Sequence, residues 1–345
     1  TTFDLNLQMY CEELMVNKKG VILVGEPESG GILAAVSSPD YSPDFFTGLI
    51  TQSDWEDIKN NPDKPLMNRY LQGKYIPGSI VKMITQVTLL NSEKFNKDVK
   101  QYCPGFYQFG DRIFGCWYTE GHGALSLTEA ISVSCDVFFY KTIKQIKLNA
   151  LHDSFKQFGF GLKTKIDIPN EVSGLVPDRN YMLKRYGKYG WSQGVLLNLA
   201  IGQGELLVTP IQVLNYVNLL ATKGNSPTCH FVFVDNLPDN VKPVLKNDIW
   251  DNIHEGLREA IVGANGTGKK ANLNLEGFKL YGKTGTAENS HGDDHAWFVG
   301  WADYKNEKYS IVILLENAGS GGAVAAPMAR KVFIELFFKN ELVAK

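Results

Sequence analysis

The chain has 345 residues, 44% hydrophobic and 12% aromatic, enough apolar material for one large domain or two tightly packed ones, which excludes an intrinsically disordered protein. Its formal net charge of −2 provides no electrostatic attraction to nucleic acid or to an anionic membrane surface. The longest purely apolar runs, such as Ile311–Leu315, are far too short to span a bilayer.

The sequence opens at Thr1 with neither an initiator Met nor a leader segment. It is therefore expected to be part of a longer protein whose anchor or preceding domain lies outside it. Leu7, Tyr10, Cys11, Leu14 and Met15 recur at helical spacing and predict a helix over about 4–18. Two apolar runs, Val21–Gly25 and Gly31–Val36, flank Glu-Pro-Glu-Ser-Gly and read as a hairpin. Residues 37–72 are rich in Pro, Asp, Asn and Ser. They read as a long crossing segment with a short helix near Trp55–Lys59.

The crossing leads to Tyr75-Ile-Pro-Gly-Ser-Ile-Val-Lys-Met-Ile. Pro77-Gly78 breaks the chain, and a helix is predicted from Ile80, with Ile80, Met83, Ile84, Val87 and Leu90 on one face. Residues 93–124 are irregular. Ser126-Leu-Thr-Glu129 is a capping box opening a helix that runs into Ser134-Cys135-Asp136. A helix near 149–158 stops at Gly159, and 160–200 is again irregular. Thr209-Pro210 starts a helix carrying Ile211, Leu214, Val217 and Leu220 and closed by Gly224, and another spans about 247–262. Phe278–Thr286, His295–Ala302 and Tyr309–Glu316 read as three successive strands, with a final helix at 327–339. Strands at both ends imply an α/β protein of the α+β type. One antiparallel sheet would come from about 1–40 and 265–345, flanked by helices, with a mainly helical lobe, about 41–264, inserted.

Ser79 and Lys82 are three apart, so a helix makes their side chains neighbours, a hydroxyl beside an amine. Alone, Ser-x-x-Lys arises often by chance and describes a capped helix start with a solvated lysine. Here it is followed by Ser134-Cys135-Asp136 and then by Lys283-Thr284-Gly285-Thr286. Acyl transfer needs these residue types. Ser79 attacks a carbonyl, and a neutral Lys82 accepts its proton. Lys283 adds positive charge, which depresses the pKa of Lys82 and attracts a substrate carboxylate. Ser134 relays a proton to the leaving amine. Asp136 accepts a substrate amide N–H or holds Lys82. Gly285 permits close approach, the Thr284 and Thr286 hydroxyls suit a carboxylate, and the Ser79 and Thr286 N–H groups form an oxyanion hole.

This ordered trio resembles the signature of penicillin-binding proteins and serine β-lactamases. Over essentially its whole length the chain resembles the transpeptidase domain of a class B penicillin-binding protein. Gly31-Ile-Leu-Ala-Ala-Val-Ser-Ser-Pro, Ala200-Ile-Gly-Gln-Gly-Glu, Thr209-Pro-Ile-Gln, Tyr281-Gly-Lys-Thr-Gly-Thr-Ala-Glu and Ala296-Trp-Phe-Val-Gly-Trp carry the likeness. Asp136, where most of the family has Asn, resembles the elongation-type penicillin-binding protein 2. The resemblance implies D,D-transpeptidation of peptidoglycan stem peptides through an acyl-Ser79, with β-lactams as substrate mimics. It also implies an N-terminal anchor and a pedestal, both missing here, and a location on the periplasmic face of the cytoplasmic membrane. The implied partners are a membrane glycosyltransferase of the elongation complex and a bitopic scaffold. The competing readings are a serine β-lactamase, a D,D-carboxypeptidase and a β-lactam sensor domain.

Five cysteines is an odd number. Cys103, Cys116, His122 and Cys135 form a Cys₃His zinc set without the short knuckle spacing, and some elongation-type relatives have a metal site in this region. The alternative is a Cys103–Cys116 disulfide with Cys135 buried and reduced, which an envelope location favours. His291-Gly-Asp-Asp-His295 reads as a solvated loop before it reads as a metal site. Trp191 and the Tyr-rich stretch 181–191 suit either a substrate groove or packing under a loop.

Overall fold

Both ends of the chain meet in one sheet. In this computed structural model the described residues are 1–188, 191, 193–233, 236–289 and 292–343. Helix α1 (Leu5–Met15), capped by the Asp4 carboxylate on the Leu7 N–H, leads into strands β1 (Gly20–Gly25) and β2 (Ile32–Ser38). The chain then leaves the sheet. Helix α2 (Gln52–Asn60) is held by a Thr51–Asp54 capping box but buries none of its side chains. Helices α3 (Arg69–Gln72) and α4 (Lys82–Leu90) follow.

Four short strands come next: β3 (Gln101–Cys103), β4 (Phe106–Phe109), β5 (Arg112–Gly115) and β6 (Gly123–Leu125). They pair as two antiparallel ribbons, β3 with β6 and β4 with β5. Helices α5 (Leu127–Ser132), α6 (Asp136–Ile143), α7 (Leu148–Gln157), α8 (Arg179–Tyr186), α9 (Gln193–Ala200), α10 (Pro210–Ala221) and α11 (Asn247–Val262) complete the inserted lobe. Strands β7 (Lys279–Ala287), β8 (His295–Tyr304) and β9 (Glu307–Leu315) and helix α12 (Ala325–Val343) return to the sheet.

The strand order is β2-β1-β9-β8-β7, antiparallel throughout. Period-two alternation divides each strand between two cores. Ile22, Phe298, Ile311 and Ile313 face α1 and α12, packing on Met15, Ala329 and Phe333. Leu23, Trp297, Trp301, Val312 and Leu314 face the helical lobe, with Leu214, Val217 and Ile253. Covering both faces explains why β1 and β9 read as unbroken apolar runs rather than as alternation. Each buried aliphatic side chain contributes about 1.5–3 kcal/mol.

Three expectations change. The helix predicted from Ile80 starts only at Lys82, because Gly78–Val81 form a 3₁₀ turn. Helix α4 is not amphipathic: Thr85, Gln86 and Thr88 are buried along with its apolar residues, since α7, α6 and α11 pack around it. The stretches read as irregular contain the ribbons β3–β6 and β4–β5 and the helices α8 and α9. The strands are too short and α8 too polar to leave a periodic signal, while α9 is only eight residues long and nearly continuously apolar.

Candidate active site

The turn bearing Ser79 is threaded against β7. Gly78 adopts φ +58°, and a Cβ there would lie 2.6 Å from the Thr286 carbonyl oxygen. On its other side Gly202, at φ +76°, lies so close that a Cβ would sit 2.1 Å from the Gly78 oxygen, and Gly78 N–H donates to the Gly202 carbonyl at 2.9 Å. Only glycine permits these two approaches. The segment before Ser79 is pinned as well. Tyr75 exchanges backbone bonds with Val208, and the Trp297 indole donates to the Ile76 carbonyl at 3.1 Å. Ser79 itself remains partly exposed.

Lys82, fully buried one turn on, donates to the Ser134 carbonyl at 2.8 Å, the Ser134 Oγ at 3.2 Å and the Asp136 Oδ1 at 2.7 Å. Three donors meet three acceptors, so this buried ion pair is fully hydrogen-bonded. Ser134 stands in the left-handed region at φ 57°, a conformation that costs a serine about 1–3 kcal/mol. The turn directs both its carbonyl and its hydroxyl at Lys82. Asp136 opens α6, and its second oxygen accepts the Trp117 N–H at 3.1 Å.

Strand β7 is the free edge of the sheet. The Thr286 carbonyl accepts from the Gln203 amide and the Thr284 carbonyl from Lys283 Nζ at 3.1 Å, so these carbonyls point off the edge rather than into β8. In an antiparallel strand a residue's N–H points the same way as its C=O. The N–H groups of Thr284 and Thr286 are therefore turned toward the cleft beside Ser79. Gly285 fits beneath Pro77 and Ile80, where a Cβ would meet atoms at 3.1 and 2.8 Å. Lys283 is fully buried, and that burial, reinforced by the positive charge of Lys82, holds its amine well below the ordinary lysine range. The Thr284 hydroxyl donates to Thr267 Oγ1 at 2.8 Å. Ser79, Lys82, Ser134, Asp136 and the Lys283–Thr286 strand thus come together from a turn, two helix starts and a sheet edge.

Behind Asp136, Cys103, Cys116, His122 and Cys135 place their ligand atoms all within 4.8 Å of one another. His122 Nδ1 lies 3.7 Å from Cys103 Sγ and 3.5 Å from Cys116 Sγ, and Cys116 and Cys135 are 4.0 Å apart. All five cysteines are free thiols, so the alternative Cys103–Cys116 disulfide is not formed. Hydrogen bonds with Cys135 and His122 favour the Cys116 thiolate and lower its pKa. Two neighbours of this cluster enter the site directly: Trp117 follows Cys116, and Asp136 follows Cys135.

The sequence model of the penicillin-binding protein transpeptidase domain matches residues 20–333. The chain belongs to this family. Within it, the chain is 34% identical to the peptidoglycan D,D-transpeptidase MrdA of Haemophilus influenzae, over 96% of this chain and 55% of that protein. It is 31% identical to MrdA of Escherichia coli K12, over 95% of this chain and 56% of that protein. The chain thus spans about half the length of these relatives. Among solved structures it resembles PBP2 of Helicobacter pylori in complex with MreC, at TM-score 0.88 and 35% identity over 97% of this chain and 64% of that one. It also resembles Pseudomonas aeruginosa PBP2 in complex with WCK 5153, at TM-score 0.89 and 32% identity over 98% and 75%. These likenesses bear out the class B, elongation-type resemblance.

For this member of the family the structure adds residues that the motifs did not single out. Trp117 became visible as a partner of Asp136 only in three dimensions, although its place after Cys116 was a usable signal. Arg69, Tyr75 and Glu316 form a buried network behind the Ser79 turn. Tyr75 Oη donates to Glu316 Oε1 at 2.7 Å and Arg69 Nε to the same atom at 3.0 Å. His295 belongs to a strand start and accepts from the Asn317 N–H at 3.1 Å, while His291 lies outside the described residues. Among the described residues the cysteine–histidine cluster is the one grouping suited to a metal. Trp191 packs partly buried against the helical core, and part of the 181–191 stretch lies outside the described residues.

Proposed function

We propose that the chain is the catalytic domain of a peptidoglycan D,D-transpeptidase that cross-links stem peptides during cell elongation. The observation that carries this reading is Lys82 bonded at once to Ser134 and Asp136 in the wall facing the Lys283–Thr286 edge. Ser79 Oγ attacks the penultimate D-Ala carbonyl of a donor stem. Its proton passes to the neutral form of Lys82, and Ser134 hands it on to the nitrogen of the departing D-Ala. The Ser79 and Thr286 N–H groups stabilise the oxyanion, and the Thr284 and Thr286 hydroxyls with Lys283 receive the terminal carboxylate. An acceptor amine then takes the acyl group.

The cysteine cluster fits zinc. Zn–S bonds of about 2.3 Å and a Zn–N bond of about 2.0–2.1 Å in a tetrahedron imply edges of roughly 3.5–3.8 Å. The two Sγ–Nδ1 distances, 3.5 and 3.7 Å, fall in that range, and the Cys116–Cys135 separation of 4.0 Å lies just above it. Cys103, Cys116 and Cys135 would supply thiolates and His122 its Nδ1. A metal there would act structurally, stapling the loop before Trp117 to the start of α6. Metal analysis of protein purified without added zinc tests this.

The domain acts at the periplasmic face of the cytoplasmic membrane. No described helix is long and apolar enough to cross it. The complex of Helicobacter pylori PBP2 with MreC supports a scaffold partner, and a relative described in a peptidoglycan synthase complex supports a polymerising one.

Intact-mass measurement with benzylpenicillin over time tests the reaction. One long-lived adduct is expected, absent from Ser79→Ala. An adduct that clears within seconds would replace this reading with a β-lactamase, and labelling of Ser79→Ala would overturn the nucleophile.

A further inference from the structure

Beside the Lys82–Ser134–Asp136 wall lies a surface cavity of about 510 Å³ lined by Trp117, Tyr118, His122, Val133, Asn265 and Gly266, among others. Trp117 and Tyr118 are 57% and 44% exposed, an unusual display for two large aromatics. Trp117 is nevertheless fixed. Its indole N–H donates to the Val133 carbonyl at 2.9 Å and its backbone N–H to Asp136 at 3.1 Å. The rings of Trp117, Tyr118 and His122 stand 5.2–5.8 Å apart at tilts of 46–58°, making a cup rather than a stack.

The cup's place relative to the reaction gives it meaning. Val133 adjoins Ser134, the proposed relay to the leaving nitrogen. Gly266 adjoins Thr267, which is bonded to Thr284 and approaches the Ser132 carbonyl at 3.4 Å. On the transpeptidase reading, both borders therefore adjoin groups assigned to the leaving D-Ala, Ser134 to its nitrogen and Thr284 to its carboxylate. The acceptor amine must arrive through the space so vacated. The cup's lining carries no Lys or Arg, and aromatic faces attract cations and stack on alkyl chains.

Resting on the transpeptidase reading, we propose that Trp117 and Tyr118 form the acceptor subsite, which takes a peptide side chain made of an alkyl chain ending in a primary amine. The arm docks protonated and gives that proton to water as it advances. Its nitrogen then bonds to the acyl carbon, the bond from the acyl carbon to Ser79 Oγ breaks, and one amine proton ends on Ser79 Oγ.

The test uses an acyl-D-Ala thioester as donor, with Nα-acetyl-L-lysine amide and glycinamide competing as acceptors. The wild-type chain is expected to prefer the long-armed amine, and Trp117→Ala to lose about fivefold of that preference, the size of an exposed cation–π contact. Trp117→Phe should keep most of it. If Trp117→Ala does not fold, Tyr118→Ala gives the same reading. A preference unchanged in the alanine variant, or absent in the wild type, overturns the subsite while leaving the acyl-enzyme intact. Failure of Ser79 to acylate at all would instead overturn the transpeptidase reading itself.

Discussion

Asp136 ties Lys82 to the cysteine-bearing loop: one carboxylate oxygen lies 2.7 Å from Lys82 Nζ and the other accepts the Trp117 N–H at 3.1 Å. Lys82 is fully buried and the Asp136 side chain 12% exposed, so neither charge is well solvated. Removing one partner leaves the other uncompensated. Asp136→Ala is expected to cost about 3–5 kcal/mol of stability. Asp136→Asn keeps a hydrogen-bonding group and should cost less. Chemical denaturation of both variants checks the order, and equal costs would contradict it.

Lys283 sets a pH dependence. Burial lowers its pKa in the folded chain, whereas an unfolded lysine keeps its proton to about pH 10.4. Between those two values the native state binds fewer protons, so stability rises with pH across that window, and below the folded value, where both states are protonated, the dependence ends. Relative to Lys283→Met, the wild type is therefore expected to gain stability as pH rises toward the unfolded value. Thermal melts of the pair at several pH values measure the gap, and a gap that narrows on the acid side would contradict the expectation.

Gly202 packs on Gly78 with no room for a side chain. Gly202→Ala combines a clash at 2.1 Å with a positive φ and is expected to lose at least about 1–3 kcal/mol. Because the displaced group is the residue before Ser79, acylation by benzylpenicillin should slow more than the melting temperature alone accounts for. Rate and melting curve are measured on the same preparation.

Behind the turn, Glu316 accepts from both Arg69 and Tyr75. Tyr75→Phe removes one bond and is expected to cost about 1–3 kcal/mol, since the carboxylate keeps its arginine. Glu316→Ala takes the carboxylate partner from a nearly buried guanidinium, leaving it the carbonyls of Pro39, Asp63 and Lys64, and is expected to cost about 3 kcal/mol. A double-mutant cycle on the two residues should show coupling well above about 0.5 kcal/mol.

If zinc holds the Cys103–Cys116–His122–Cys135 cluster, a chelator should lower the melting temperature and Cys116→Ser should lose bound metal. Because the cluster flanks Trp117 and Asp136, acylation should weaken in parallel. Metal content, melting and acylation rate are followed together, and chelation without effect on any of them would remove the metal from the structure.

Much of the fold was legible because its elements are long and carry strong boundary signals. Thr209-Pro210, the apolar face and Gly224 marked α10, and the apolar runs marked β1 and β9. The ribbons of 101–125 escaped because three- or four-residue strands have no room for a period. In the site, the residue types and their order identified Ser79, Lys82, Ser134, Asp136 and Lys283–Thr286 as candidates. Trp117 and Glu316 carried no motif, and Gly202, although inside Ala200-Ile-Gly-Gln-Gly-Glu, had no role assigned, since each acts through a contact distant in sequence.

By itself the sequence determined which chemistry is on offer, because a hydroxyl three residues from an amine, and a strand rich in threonine and glycine, are local facts. It also determined the elements, through capping and periodicity. Only the tertiary structure decided that Ser79 sits on a 3₁₀ turn rather than in a helix. It alone showed that Lys82 is fully paired by the strained Ser134 turn and Asp136, and that four cysteine and histidine ligands converge behind them. The physical reason is that burial, hydrogen-bond saturation and close backbone approach depend on which segments meet across the cleft, and local sequence does not encode that meeting.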